Sequence, residues 1–259
     1  MELIEQQLSA FLLVFVRLTA FFVSAPVFSF RGVPNQFKIG LALALAFISY
    51  SLVPDTGPIP LDLGFILYAV KEALVGLLLG TILQLLFYTV QVAGGMIDMQ
   101  LGLALANVID PRTGAYVPLT GSFKNVLATL FLLSTNGHHM IIRGILASYQ
   151  AVPIDRAWLS FGSEPLVQLV MKVFSYMFMS GFMIAAPVVV AIFLVDLSLG
   201  IIAKTVPQFN IFVVGLPIKI VSGLLILFIV LPGFYYVLSG LFGKMFAAMS
   251  DMMKLLGGL

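Results

Sequence analysis

No cysteine occurs in the 259 residues of the chain. Its absence excludes disulfide scaffolds, thiol nucleophiles and thiolate metal sites, and leaves the redox compartment open. Histidine is confined to the adjacent pair His138 and His139. Neighbouring side chains project in different directions, so this pair does not make a multi-histidine metal site. Charge is scarce: 9% of residues are Asp, Glu, Lys or Arg, with 13 basic against 11 acidic. A net charge of +2 without a basic stripe excludes a nucleic-acid surface. There is no P-loop, no G-x-G-x-x-G and no G-x-S-x-G elbow. The residues therefore predict no enzyme and no cofactor.

What is abundant is apolar. Hydrophobic residues make up 61% of the chain, against about 45–50% in an average soluble domain. A fold of this size cannot hide that much apolar surface from water, and a disordered chain needs the opposite balance. The class is a polytopic all-α membrane protein. The first 30 residues read as retained rather than as a cleaved leader. Their first charges, Glu2 and Glu5, are acidic where a basic segment is expected, and the apolar run is too long.

A membrane-crossing helix needs about 20 mostly apolar residues. Apolar segments run over residues 8–30, 39–53, 63–93, 126–134, 141–149, 166–195 and 211–242. Their uneven lengths predict helices that kink, form hairpins or pack inside other protein. Pro26, Gly32, Pro34 and Asn35 break the chain after the first segment, and residues 54–60 form a Pro/Gly loop. Residues 107–122 are the clearest loop, and 151–165 and 196–210 are further connections. Lys and Arg counts differ too little between the two sides to assign an orientation. The spacing divides the chain near residue 150. Shorter helices and the large loop come before it, and residues 151–259 form two long segments around one polar elbow.

Ionisable residues inside apolar segments are costly and are candidates for function. Here they are Arg17, Lys71, Glu72, Asp98, Lys172, Asp196 and Lys219. Structural pairing or snorkelling competes with a proton relay, and no row of acids along one helix face supports a relay. Lys71 and Glu72 point about 100° apart on a helix, so separate partners are expected, including partners in other subunits. His138 and His139 read as a hydrogen-bonded turn. Met171, Met177, Met179 and Met183, and Met245, Met249, Met252 and Met253, read as packing or as a deformable seal. Gly76 and Gly80 form a G-x-x-x-G, and with Gly94-Gly95 they predict close helix packing. The loop Asp110-Pro111-Arg112-Thr113-Gly114-Ala115-Tyr116-Val117-Pro118 either lines a pore or is an exposed turn.

Several motifs together resemble one family. They are Ala186-Pro187, Asp196-Leu197-Ser198-Leu199-Gly200, Pro207-Gln208-Phe209-Asn210-Ile211-Phe212 and Gly215-Leu216-Pro217-Ile218-Lys219-Ile220. The 110–118 loop, Gly137-His138-His139, Ala25-Pro26-Val27-Phe28 and Arg31-Gly32-Val33-Pro34 extend the likeness over nearly the whole chain. This set resembles the FliR family of the flagellar type III export gate, whose injectisome counterpart is called SctT. Lys204 stands where the family more often has arginine.

The resemblance implies one copy of the chain joined with several copies each of FliP and FliQ, next to FlhA and FlhB. It implies a helical gate in the bacterial inner membrane, within the flagellar basal body and in contact with lipid, passing unfolded export substrates. Residues 1–150 are then FliP-like and residues 151–259 FliQ-like. A plug loop at about 106–122 carries Asp110, Pro111, Arg112, Thr113, Gly114, Tyr116 and Pro118. Pro187, Asp196, Lys204, Pro207, Gln208, Asn210, Phe212, Gly215, Pro217 and Lys219 pack against neighbouring subunits. The alternatives are the injectisome (SctT) version of the same gate and, from another class, a stand-alone small-solute transporter, which an inverted repeat would favour and none is seen.

Overall fold

The computed structural model describes residues 2–30, 32–50, 63–104, 118–156, 162–206 and 210–258, with only the backbone for 2–6, 211 and 212. Eight long helices are described, with no strand among the described residues. They are α1 (Glu2–Ser24), α2 (Asn35–Ser49), α3 (Leu63–Phe87), α4 (Thr89–Leu101), α5 (Leu119–Ser134), α6 (Gly137–Ala151), α7 (Glu164–Thr205) and α8 (Ile211–Gly257). The all-α class read from the sequence is the observed one.

Several boundaries have local causes. α1 stops at Ser24, because Pro26 disfavours helical geometry at the residue before it. Val27 then turns the chain with φ +70°, a left-handed conformation rare for a β-branched residue. α4 ends at Gly102 in the left-handed conformation, φ +79°. α5 and α6 are separated by Asn136, also left-handed at φ +57°.

Three expectations need correction. The segment 63–93 is two helices, broken at Tyr88, and the second runs on to Leu101. The loop expected through residue 122 ends earlier, since Leu119 to Ser122 form the first turn of α5. The connection expected over 196–210 is helical as far as Thr205. There the polar side chains are absorbed by the helix itself: Ser198 and Thr205 donate to the Leu194 and Ile201 carbonyls four residues back.

The chain forms two compact units of interleaved segments. The first contains Met1–Phe87, Thr135–Phe174 and Phe242–Leu259, and the second Tyr88–Ser134 and Ser175–Leu241. In the first, α1 packs on α2 and α3 and buries Leu13, Val14, Leu18, Phe21 and Phe22 completely. Gly76 and Gly80 permit this approach, because a Cβ on either would strike the α1 backbone. The end of α8 completes the unit: Met249 lies on Gly144, and the Phe87 and Phe242 rings stack at 6.4 Å. Met245, Met249 and Met252 are therefore core, whereas Met171, Met179 and Met183 are exposed.

In the second unit α4 packs on α5, with Gly94 meeting the Gly121 backbone. Gly223 of α8 receives Leu101 of α4 and Ile192 of α7. Four stretches are long and apolar enough to cross a membrane: Gln7–Ser24, Leu63–Leu101, Glu164–Thr205 and Val213–Gly257. Apolar side chains such as Phe193, Phe228, Ile229 and Tyr236 stand exposed along α7 and α8.

Candidate functional site

The root of the large loop is held on both sides within the second unit. Residues 105–117, including Asp110, Pro111, Arg112, Thr113, Gly114 and Tyr116, lie outside the described residues. Pro118 is described and immediately precedes α5. Asp98 of α4 is 1% exposed. Its two carboxylate oxygens accept the Thr120 backbone N–H at 3.2 Å each, and one also accepts the Thr120 hydroxyl. A carboxylate against the first N–H groups of a helix satisfies orphan donors and complements the helix dipole. Asp98 thus ties α4 to the start of α5, while Gly94 and Gly121 bring the two backbones together.

The other side of the root is tied to α7 and α8. Gln100 Nε2 donates to Asp196 Oδ2 at 3.0 Å, and Lys219 Nζ pairs with Asp196 Oδ1 at 3.0 Å. One carboxylate therefore joins three helices just before Gly102, which lies against Leu216. The Asp196–Lys219 pair is partly exposed, so solvent screens it and its worth is geometric more than energetic.

The remaining family-motif residues scatter. Pro187 sits inside α7 and Pro217 inside α8. Gly215 is buried, and Lys204 is exposed at the end of α7. The Asn210 side-chain oxygen accepts the Val213 N–H at 3.4 Å, at the start of α8. Pro207, Gln208 and the Phe212 side chain lie outside the described residues. Lys172 is on the surface, beside Asp251 and Lys254 in an open groove of the first unit.

A second polar centre lies inside the first unit. Arg17 and Glu72 are both 0% exposed. The guanidinium grips the Glu72 carboxylate with Nε and Nη2, the latter at 3.0 Å. It also donates to Ser148 Oγ at 3.0 Å and to the Val152 carbonyl at 2.7 Å, and it lies 4.3 Å from the Tyr149 ring centre. Lys71 bends back onto the same Glu72 carboxylate and donates to the Pro153 and Ile154 carbonyls at 3.1 and 3.0 Å. The expectation of separate partners for Lys71 and Glu72 is thereby corrected. A long flexible lysine stem spans the 100° offset, and both groups are satisfied within this chain.

Thr120 and Lys124, both buried, are not among the residues that sequence reasoning singles out. Thr120, two residues after Pro118, carries the usual mark of a helix start. Lys124 lies just ahead of the apolar segment at 126, where a charge reads as a flank. Among the described residues no group of acids, histidines or cysteines is arranged to hold a metal ion.

The family described as bacterial export proteins, family 1, matches residues 8–245. The flagellar biosynthetic protein FliR of Bacillus subtilis (strain 168) is 45% identical over 248 residues, 96% of each chain. That of Escherichia coli (strain K12) is 31% identical over 92% of this chain and 90% of its own. FliR of Aquifex aeolicus (strain VF5) is 32% identical over 88% of this chain and 87% of its own. The family match over residues 8–245 covers both the loop root and the buried Arg17–Glu72 centre. The chain belongs to the bacterial export proteins, family 1, the family of the flagellar biosynthetic proteins FliR.

Proposed function

We propose that this chain is a subunit of the flagellar type III export gate. In this reading it assembles in single copy with several copies of FliP and FliQ, beside FlhA and FlhB. The gate lies in the inner membrane at the flagellar basal body and passes unfolded flagellar substrates. The observation that carries the reading is the 45% identity to a flagellar FliR over 96% of both chains. Residues 1–150 are taken as FliP-like and residues 151–259 as FliQ-like. The exposed apolar faces of α7 and α8 then meet partner subunits as well as lipid.

The segment 106–117 closes the resting channel as a plug. In this reading Pro111, Gly114 and Pro118 hold it out of helix by residue type, and Asp110 and Arg112 fix it by polar contacts. Two anchored ends support this assignment, since a displaceable loop needs a root that does not move with it. Substrate arrival shifts the loop from the closed to the open state.

Native mass spectrometry tests the assembly. The chain alone carries a tag and is co-expressed with FliP and FliQ. A single complex with one copy of this chain and several of each partner is expected. A lone monomer or homo-oligomer would overturn the gate reading and favour a transporter. Deleting residues 106–117 should leave that complex intact and make the membrane leak ions, and an assembled deletion variant that stays tight removes the plug assignment.

A further inference from the structure

Lys124 of α5 is 3% exposed. Among the described residues it forms no hydrogen bond and no ion pair within 4.0 Å. Its ammonium stands 5.2 Å from the centre of the Phe234 ring. Asp98 acts on it by charge, but the Asp98 carboxylate is already occupied by Thr120. The ammonium borders a cavity, and no oxygen of the described residues lies within bonding distance of it, so the site favours an anionic oxygen brought from outside the chain.

The same side chain lines a cavity of about 160 Å³ in the second unit. Its other walls are apolar, among them Pro187 and Val188 of α7 and Leu227, Leu231 and Phe234 of α8. An apolar cavity of about 150 Å³ is large enough to admit benzene, a six-carbon ring. The site thus combines a positive charge that no oxygen of the described residues contacts with room for a short hydrocarbon body. An acidic side chain from a protein answers the charge, but its one or two methylenes leave most of that volume empty. An acyl chain with an anionic head answers both. Such molecules are at hand around a protein with four stretches long and apolar enough to cross a membrane.

We propose that this cavity binds an anionic amphiphile. A carboxylate or phosphate oxygen sits on Lys124, and the first about six carbons of an acyl chain lie along Leu227, Leu231 and Phe234. The head belongs to a free fatty acid or to an acidic membrane lipid.

The full chain, in non-ionic detergent, is titrated with decanoate, decanol and a phosphatidylglycerol while thermal unfolding is followed. A saturable rise in the unfolding midpoint is expected with an anionic probe, half-saturating at least about tenfold below decanol. Response to decanoate alone identifies a fatty acid, and response to phosphatidylglycerol alone identifies a lipid head; either supports the site. Lys124→Met should erase the preference over decanol and Lys124→Arg should retain it. Leu231→Trp, which fills the cavity and keeps the cation, should abolish all responses. If Lys124→Met fails to fold, the other two variants carry the test. Equal responses to decanoate and decanol overturn the proposal. So does no response to either anionic probe, or a preference that survives Lys124→Met. If the wild-type response vanishes when other subunits are bound, protein covers Lys124 instead, and the proposal fails.

Discussion

At the scale of single residues, Glu72 has the largest consequence. Among the described residues it is the one carboxylate that answers two buried cations, Arg17 and Lys71. Glu72→Gln strands both, and removal of one member of a buried ion cluster costs about 3–5 kcal/mol. The variant is expected to unfold at markedly lower temperature in detergent. Replacing all three charges together, Arg17→Met, Lys71→Met and Glu72→Leu, should cost less than Glu72→Gln alone, since no unpaired charge remains. Asp98→Ala leaves the Thr120 N–H and hydroxyl without their acceptor, a loss of about 1–3 kcal/mol. Thermal unfolding of both series checks these orders.

The residue types at these centres were legible in the sequence, because a charge inside an apolar run stands out. Their partners were not. Arg17 and Ser148 are 131 positions apart, and a backbone carbonyl such as that of Val152 carries no sequence mark.

Among elements, close helix approach was the best-read feature. Gly76 and Gly80 are small where α1 crosses α3, and Gly94 is small where α4 meets α5. The break at Tyr88 was hidden, because neither Gly nor Pro marks it. The helical stretch from Asp196 to Thr205 was hidden for the opposite reason. Its Ser, Gly and Thr residues look like a linker, yet the hydroxyls are satisfied by carbonyls of the helix itself.

The glycines give a paired prediction. A methyl at Gly94 would collide with the Gly121 backbone, whereas nothing lies within 4 Å of a Cβ at Gly240. Gly94→Ala should therefore destabilise by about 1–3 kcal/mol through overpacking. Gly240→Ala should be neutral or gain up to about 1 kcal/mol from helix propensity. Equal effects at the two sites would remove the α4–α5 contact as the cause.

For the whole molecule, the length of α7 and α8 is decisive. With 42 and 47 residues they extend about 63 and 70 Å, twice the about 30 Å hydrocarbon core of a bilayer. Each is longer than a single lipid span requires. The chain has no cysteine, so single cysteines introduced at the exposed Val167 and Ile201 report cleanly. At least one should react with a membrane-impermeant maleimide in opened membranes, and labelling at neither would return α7 to the bilayer.

The interleaving of the two units also sets an order in time. The first unit opens with the first residues of the chain and closes only with Phe242–Leu259. On the ribosome, α1 and α3 emerge long before Ser148 arrives to meet Arg17, or Met249 to cover Gly144. Domains ordinarily complete themselves from the N-terminus as synthesis proceeds. This chain cannot: the Arg17–Glu72 centre waits for Ser148 and the Val152 carbonyl, and Gly144 waits for Met249 in the final turns of α8. Premature termination anywhere before residue 242 therefore leaves the oldest segment of the protein without its last packing partners.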